Sequence, residues 1–471
     1  MKLFIRGQWV DRDKKLEVRH PFDGSLVDTV PIATAEDVQS ALAGAVEGAA
    51  VMRKLPGYER FQILRRAADK MFAQQQELGR LISLEEGKTL AEGVFEAGRA
   101  AETMELSAEE AKRLGGETLP LDGAPGGAGK IGFTMRVPCG VVVAITPFNF
   151  PLNLVCHKVG PALAGGNAVI VKPASNTPLS ALRLVEILLD AGLPPLAISC
   201  LIGPGSEIGK ALCSDERVRK ISFTGSVEVG KQICAVAGLK RVTMELGSNS
   251  PLIILEDADL SKVADAVLAT GFGNAGQVCI STQRVVGVGK IYGDLLDALK
   301  AKVGGLKIGN PLAEGTKMGP MIREQDAARV ENWVQEAKAQ GARILTGGSR
   351  MGTLFAATVV ADVTPTMKLF QDELFGPAVG VSKAASVEEA IALANHSRYG
   401  LSAGIFTQNI DSALKFAREV DAGNLHINWG PAWRADLMPY GGLKESGFGK
   451  EGPKYAIEEM TERKTVVIHQ S

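Results

Sequence analysis

Across residues 137–247, short runs of apolar, β-branched residues alternate with segments whose apolar positions recur at helical spacing. Stretches 141–145, 168–171, 197–202, 219–224 and 241–245 read as strands, and 152–164, 178–191, 207–213 and 229–237 as helices. The strands show no polar alternation, the pattern of a parallel sheet covered on both faces. Strand and helix in turn predict an α/β fold with a doubly wound parallel sheet. Such sheets bind ligands beyond the carboxyl ends of their strands. Segments 146–149, 172–175, 203–205 and 224–226 all fall at such ends.

Outside this region the pattern changes. Residues 1–33 read as short strands and turns, and helical spacing begins after Thr34, with Val38, Leu42 and Val46 on one face. Thr34 and Asp37 are placed to form a capping box. Helical character runs to about Arg113, and the Gly- and Pro-rich residues 114–130 read as an exposed connection. A second αβ region spans about 252–440, with helices expected at 258–270, 293–303, 323–340, 387–395 and 410–420. Strands are expected there near 284–289, 343–345, 379–382, 403–406 and 424–427, and residues 462–468 read as a last strand without a local partner.

Composition narrows the function. Hydrophobic residues make up 45% and charged residues 22%, the balance of an ordinary globular chain. With 52 basic and 53 acidic side chains the net charge is −1, which argues against a nucleic-acid partner. No run reaches the roughly 18 apolar residues of a membrane helix, and Met1–Arg6 is followed by no apolar leader, so no membrane association and a cytoplasmic location are expected. Cys139, Cys156, Cys200, Cys213, Cys234 and Cys279 are scattered, which predicts free thiols and no metal site.

Two glycine motifs mislead. Residues 271–276, GFGNAG, spell a dinucleotide fingerprint but follow a helical segment where the fingerprint needs a strand. Residues 225–231, GSVEVGK, resemble a P-loop but continue with Gln232, so the magnesium-binding hydroxyl is missing. A strand, Gly-Ser and a helix start can still receive a pyrophosphate on backbone amides. Cys279 sits among small and polar residues, so its thiol reads equally as structural or nucleophilic. Glu245 ends a strand beside Gly247, as a solvated charge or a general base. Asn149, between two prolines and two aromatics, is a turn residue or an oxyanion donor.

Taken in order, PFNFP at 147–151, GPALAGGNAVIVKPAS at 160–175, FTGS at 223–226, MELG at 244–247, GQVC at 276–279, ELFGP at 373–377 and PYGGLKESGFG at 439–449 resemble the aldehyde dehydrogenase superfamily along essentially the whole chain. The resemblance is nearest to the lactaldehyde and small-substituted-aldehyde branch, through Ser248-Asn249 and GQVCISTQR at 276–284. It implies an NAD(P)-binding domain (1–117 and 137–246), a catalytic domain (247–445), and a small β oligomerisation element (118–136 and 446–471) that makes a homodimer or homotetramer.

The resemblance also assigns roles. Cys279 attacks the aldehyde, Asn149 and the Cys279 N–H hold the oxyanion, and hydride leaves for the nicotinamide. Glu245 activates the water that hydrolyses the thioester. Lys158 matches a position close to this site. Ile145, Thr146, Pro147, Phe148, Lys172, Ser175, Gly205, Gly225, Ser226, Val229, Leu246, Glu373 and Phe375 match the cofactor contacts. NAD-preferring members usually carry Glu where this chain has Ser175, which leans toward NADP or dual use. Retention of Glu245 favours a free acid over transfer to coenzyme A, and Cys279, Glu245 and Asn149 together argue against a non-catalytic relative. His157, Arg284 and Arg434 match the border of the substrate channel, where an arginine could hold an anionic tail. Read bare, Arg284 opens a strand and Arg434 sits on an exposed loop. Aliphatic aldehydes of two to five carbons, including hydroxy- and acid-substituted ones, are the expected substrates.

Overall fold

Val141–Ile145 and Ala168–Lys172 are buried at every residue, because helices cover both faces of their sheet. The computed structural model describes residues 1–470. Its first sheet has eight strands, in the order Gln8–Val10, Leu3–Ile5, Ile198–Cys200, Ala168–Lys172, Val141–Ile145, Val218–Thr224, Arg241–Glu245 and Gly447–Phe448. The five inner strands are parallel, and the edge pairings are antiparallel. From Val141–Ile145 the chain builds outward on one side, then crosses back to Val218–Thr224 on the other. The switch point therefore lies beyond Ile145 and Thr224, where a crevice opens.

A second sheet of seven strands runs Arg343–Thr346, Thr358–Ala361, Ala378–Ala384, Arg284–Val288, Pro251–Ile254, Ser402–Phe406 and Asn424–Ile427. Two of these, Pro251–Ile254 and Thr358–Ala361, were not expected; each is four residues long and carries too little pattern to stand out. The last strand, Thr461–His469, pairs antiparallel along its length with Lys130–Pro138, which also holds Thr118–Leu119. Its partner is thus far away in sequence. Gly447–Phe448, which the sequence expectation assigned to the oligomerisation element, instead closes the first sheet beside Glu245.

Thr34 and Asp37 form the expected capping box on the helix Ala35–Lys54. Val38 and Leu42 are buried, but Val46 is 45% exposed and Ala45 points inward instead. Eight residues beyond Val38, a turn of 3.6 residues has rotated the side chain by about 80°, off the buried stripe. The helix Asn153–Ala164 is buried on every face. Asn153 and His157, one turn apart, share one of those faces.

Candidate active site

The helix Leu260–Phe272 runs into a tight turn, Gly273–Gly276, in which Asn274 (φ 49°), Ala275 (φ 52°) and Gly276 (φ 69°) are all left-handed. A side chain at Gly276 would come within 2.2 Å of the Gly376 carbonyl oxygen, so only glycine fits. The turn is held from several sides. The Asn274 N–H donates to Glu92 Oε1 (2.7 Å), and its side chain donates to Glu86 Oε1 (2.9 Å) and the Asn149 carbonyl (3.2 Å). Gln277 accepts from the Ile322 N–H (2.9 Å). Strain so firmly held points to function, and the turn delivers Cys279 into a cavity of about 240 Å³.

Cys279 shares that cavity with Glu245, Leu246, Phe150, Arg434, Tyr440 and Glu451. Its Sγ lies 3.3 Å from the Tyr440 hydroxyl. Burial pushes the thiol up to about 12, opposed by the Tyr440 hydrogen bond and the Arg434 charge. Both carboxylate oxygens of Glu245 are buried with no hydrogen-bond partner. Burial holds Glu245 well above the usual carboxylate range; Glu451 adds to this, while Arg434, Lys158 and Lys450 oppose it. Such a carboxylate is poised as a base rather than paired in a salt bridge. The Asn149 amide donates to the Gln277 carbonyl (2.9 Å), two residues from Cys279, and its NH₂ has a second donor to spare. The Asn149 backbone is clamped, because its carbonyl accepts from buried Lys88 (2.6 Å) as well as from Asn274.

One wall of the cavity carries Arg434 and Arg99, each paired with a buried carboxylate. Arg434 Nη1 donates to Glu451 Oε2 (3.1 Å) and Nη2 to His157 Nδ1 (3.1 Å), while its Nε is buried without a partner. His157 Nε2 donates to Asp436 Oδ1 (2.8 Å), a tautomer fixed by the arginine on its other nitrogen. Burial and the Arg434 charge push His157 down to about 4. Asp436 also accepts two hydrogen bonds from Arg99 (2.7 and 3.0 Å) and one from Asn153 (3.3 Å). Arg99 and Asn153 line the same cavity.

A second cavity, of about 650 Å³, lies at the carboxyl ends of the first sheet and is lined by Ile145, Lys172, Gly205, Phe223 and Val229. Lys172 Nζ is buried, and among the described residues its one hydrogen bond is to the Pro173 carbonyl (3.4 Å). Ser226 caps the helix Val227–Ala237, accepting from the Val229 N–H, and the adjacent Gly225 lies against the Phe223 ring. Thr146 and Thr224 present buried hydroxyls without partners. Phe148, which follows Pro147, meets Phe375 edge to face at 5.8 Å. Glu373 Oε1 accepts from the Ser248 N–H (2.9 Å), and Oε2 is so close to Gly247 that a side chain there would clash. A buried ammonium and a helix start at the carboxyl ends of the first sheet fit a dinucleotide.

Four expected site residues belong elsewhere. Arg284 is 2% exposed, and its guanidinium donates to the carbonyls of Asn249, Leu393 and Ala394. It opens a strand and ties loops together, and it does not line the cavity that holds Cys279. His157 and Lys158 lie behind the cavity wall. Lys158 Nζ donates to Glu451 Oε1 (2.7 Å) and Ser222 (3.2 Å), so it acts through Glu451. Ser175 donates to the Gly203 carbonyl (3.3 Å) and lines a separate cavity with Glu17, Arg19, His20 and Ile322 rather than the one that holds Lys172. Arg434 sits on a loop as its bare reading had it, but the loop folds the side chain inward. Sequence reasoning missed Tyr440, Glu451, Asp436, Arg99 and the Lys88–Glu96 pair. Tyr440 lay inside a quoted motif, and Glu451 two residues beyond it.

Comparison with known proteins agrees with this geometry. Residues 9–466 match the model of the aldehyde dehydrogenase family. The chain is 46% identical over 467 residues to the 3-sulfolactaldehyde dehydrogenase of Priestia aryabhattai, covering 99% of this chain and 98% of that protein. It superposes with a TM-score of 0.97 on aldehyde dehydrogenase 21 from Physcomitrella patens in complex with the reaction product succinate, at 38% identity, covering 100% of this chain and 98% of that one. It superposes with a TM-score of 0.94 on glyceraldehyde-3-phosphate dehydrogenase from Methanocaldococcus jannaschii complexed with NADP, at 36% identity, covering 98% and 100%. The chain belongs to the aldehyde dehydrogenase family and is an NAD(P)-dependent aldehyde dehydrogenase.

Proposed function

We propose that this enzyme oxidises small aldehydes bearing a sulfonate or carboxylate to the free acid. The unpartnered Arg434 Nε, buried in the cavity that holds Cys279, carries the reading. A buried guanidinium donor without a partner costs stability unless a ligand satisfies it. An oxyanion is its natural partner. The relatives named for 3-sulfolactaldehyde and bound to succinate point to the same class.

The chemistry runs through this chain's own groups. The Cys279 thiolate attacks the carbonyl carbon, forming a C–S bond and placing the electron pair on oxygen. The free Asn149 N–H and the Cys279 backbone N–H receive that oxyanion. Bound NAD or NADP supplies the hydride acceptor, held by Lys172 and the Ser226 helix start at one end and by Glu373 and Phe375 at the other. Collapse of the alkoxide leaves an acyl thioester on Cys279. Glu245 takes a proton from water, the hydroxide adds to the thioester, and the thiolate leaves with the acid released. The absence of a carboxylate at Ser175 removes a charge that would repel a 2′-phosphate, which supports use of NADP. The long edge strand Thr461–His469, with Val467 and Ile468 exposed, makes the subunit contact of a dimer.

Initial rates with NAD and with NADP over succinic semialdehyde, 3-sulfolactaldehyde, lactaldehyde and propanal test the reading. The anionic aldehydes should lead in kcat/KM by at least about tenfold, the worth of one charge-assisted hydrogen bond. Equal rates for propanal would sink the anion reading, and a need for coenzyme A would sink hydrolysis. Light scattering should give a mass above that of one chain.

A further inference from the structure

Tyr440 stands between the nucleophile and Arg434, and the scheme above leaves it without a task. It is 3% exposed. Its hydroxyl lies 3.3 Å from Cys279 Sγ and has no other hydrogen-bond partner among the described residues. The Arg434 guanidinium covers the ring face, 4.0 Å from its centroid. The backbone is fixed as well: the Tyr440 N–H donates to the Glu451 carbonyl (3.1 Å) and its carbonyl accepts from the Glu451 N–H (2.8 Å).

We propose that Tyr440 is a further catalytic residue, whose hydroxyl donates to the Cys279 thiolate and whose ring seats Arg434. One side chain then ties the nucleophile to the arginine that selects the substrate. The seating of Arg434 matters for selectivity only if the anion reading above holds; the hydroxyl's part does not depend on it.

The surroundings of Cys279 make such a donor necessary. Glu245, at the end of its strand, and Glu373, from the loop across the crevice, both disfavour a thiolate. Arg434 favours one, Glu451 lies beyond it, and Lys88 on the far wall is already paired with Glu96. Of these groups only Tyr440 bonds the sulfur directly. A thiol can donate to a phenol or accept from it, but a thiolate can only accept. A cation over the ring face is attracted by the ring quadrupole and draws electron density from the phenol, making its O–H a better donor. Burial holds Tyr440 well above its usual range, so it keeps its proton throughout. No proton passes between the two residues.

The test uses the whole enzyme without cofactor or aldehyde. Iodoacetamide labelling of Cys279 is followed by peptide mass spectrometry from pH 6 to 9, which separates Cys279 from the exposed Cys234. Tyr440→Phe keeps the ring and loses the hydroxyl. Loss of the donor should reduce the thiolate about tenfold at fixed pH, offset in part by the greater nucleophilicity of the remaining thiolate, for a net slowing of roughly three- to fourfold. Its KM for succinic semialdehyde should stay within about twofold, because Arg434 keeps its seat. Tyr440→Leu should slow labelling alike and also raise that KM at least about tenfold, with no matching rise for propanal. Labelling of Tyr440→Phe at the wild-type rate overturns the hydroxyl's role. An unchanged KM in Tyr440→Leu overturns the seating of Arg434. If the wild-type enzyme shows no preference for anionic aldehydes, the proposed substrate class falls, while the labelling result still decides the thiolate donor.

Discussion

Replacing Lys88 by Met perturbs how the oxyanion donor is held. Lys88 is 1% exposed, with Nζ 2.7 Å from Glu96 Oε2, 4.0 Å from Glu86 Oε2 and 2.6 Å from the Asn149 carbonyl oxygen. Met keeps the length of the side chain but removes the charge, together with its place over the Phe150 ring, so buried Glu96 loses its cation. Removing one partner of a buried ion pair costs about 3–5 kcal/mol. At roughly 2–4 °C per kcal/mol for a domain of this size, the first melting transition should fall by about 6–20 °C. The loss depends on pH. Burial pushes Glu86 up to about 8, with the Lys88 charge opposing, and without that charge it rises further. A folded-state pKa above the unfolded one gives stability that is full at low pH and lost as pH rises through the folded pKa. Above about pH 8 the folded variant retains a proton that wild type releases, so the gap between them widens from pH 6 to pH 9. Scanning fluorimetry at three pH values reads the gap. The activity should fall too, by about tenfold, a fraction of the 10²–10³ that a whole oxyanion donor is worth. A melting point within about 2 °C of wild type, or a gap that narrows as pH rises, would refute the reasoning.

Other changes have equally definite outcomes. Glu245→Gln should give one burst of reduced cofactor per active site and then stall, with turnover down at least about a hundredfold. In wild type, turnover should climb with pH through the raised range of Glu245, since the base must be ionised to act; a flat profile counts against it. Arg434→Met should lower the ratio of kcat/KM for succinic semialdehyde over propanal by about ten- to a hundredfold; the ratio cancels damage common to both substrates through Glu451 or Tyr440. If position 175 governs cofactor choice, Ser175→Glu should cut kcat/KM for NADP at least about tenfold and spare NAD, because an added carboxylate repels a 2′-phosphate.

The sequence carried the inner strands and most helices because their apolar patterns are local. Cys279, Glu245 and Asn149 were legible as a set through their motifs, although each alone was ambiguous. The errors share a physical cause: partners distant in sequence decide what a polar side chain does. Arg284 is consumed by carbonyls at residues 393 and 394, which no local pattern announces. The Asp436–His157–Arg434–Glu451 chain joins one helix to two loops, and its members look like ordinary surface residues when read in line. Gly447–Phe448 is too short for any periodicity, so its pairing beside Glu245 appears only in the folded chain.

That last pairing bears on how the enzyme is made. Glu245 sits on a strand whose outer neighbour, Gly447–Phe448, lies roughly 200 residues further along. At about 5–20 residues per second, a ribosome takes roughly 10–40 s to cover that distance. During this interval the first sheet has its helices but keeps a bare edge at the strand bearing the base, and an unpaired edge is an invitation to aggregate. Charge at the ends of that strand, from Arg241 to Glu245, offers some protection meanwhile. The reactive centre thus becomes whole only once Gly447–Phe448 has been made, well after Cys279 itself.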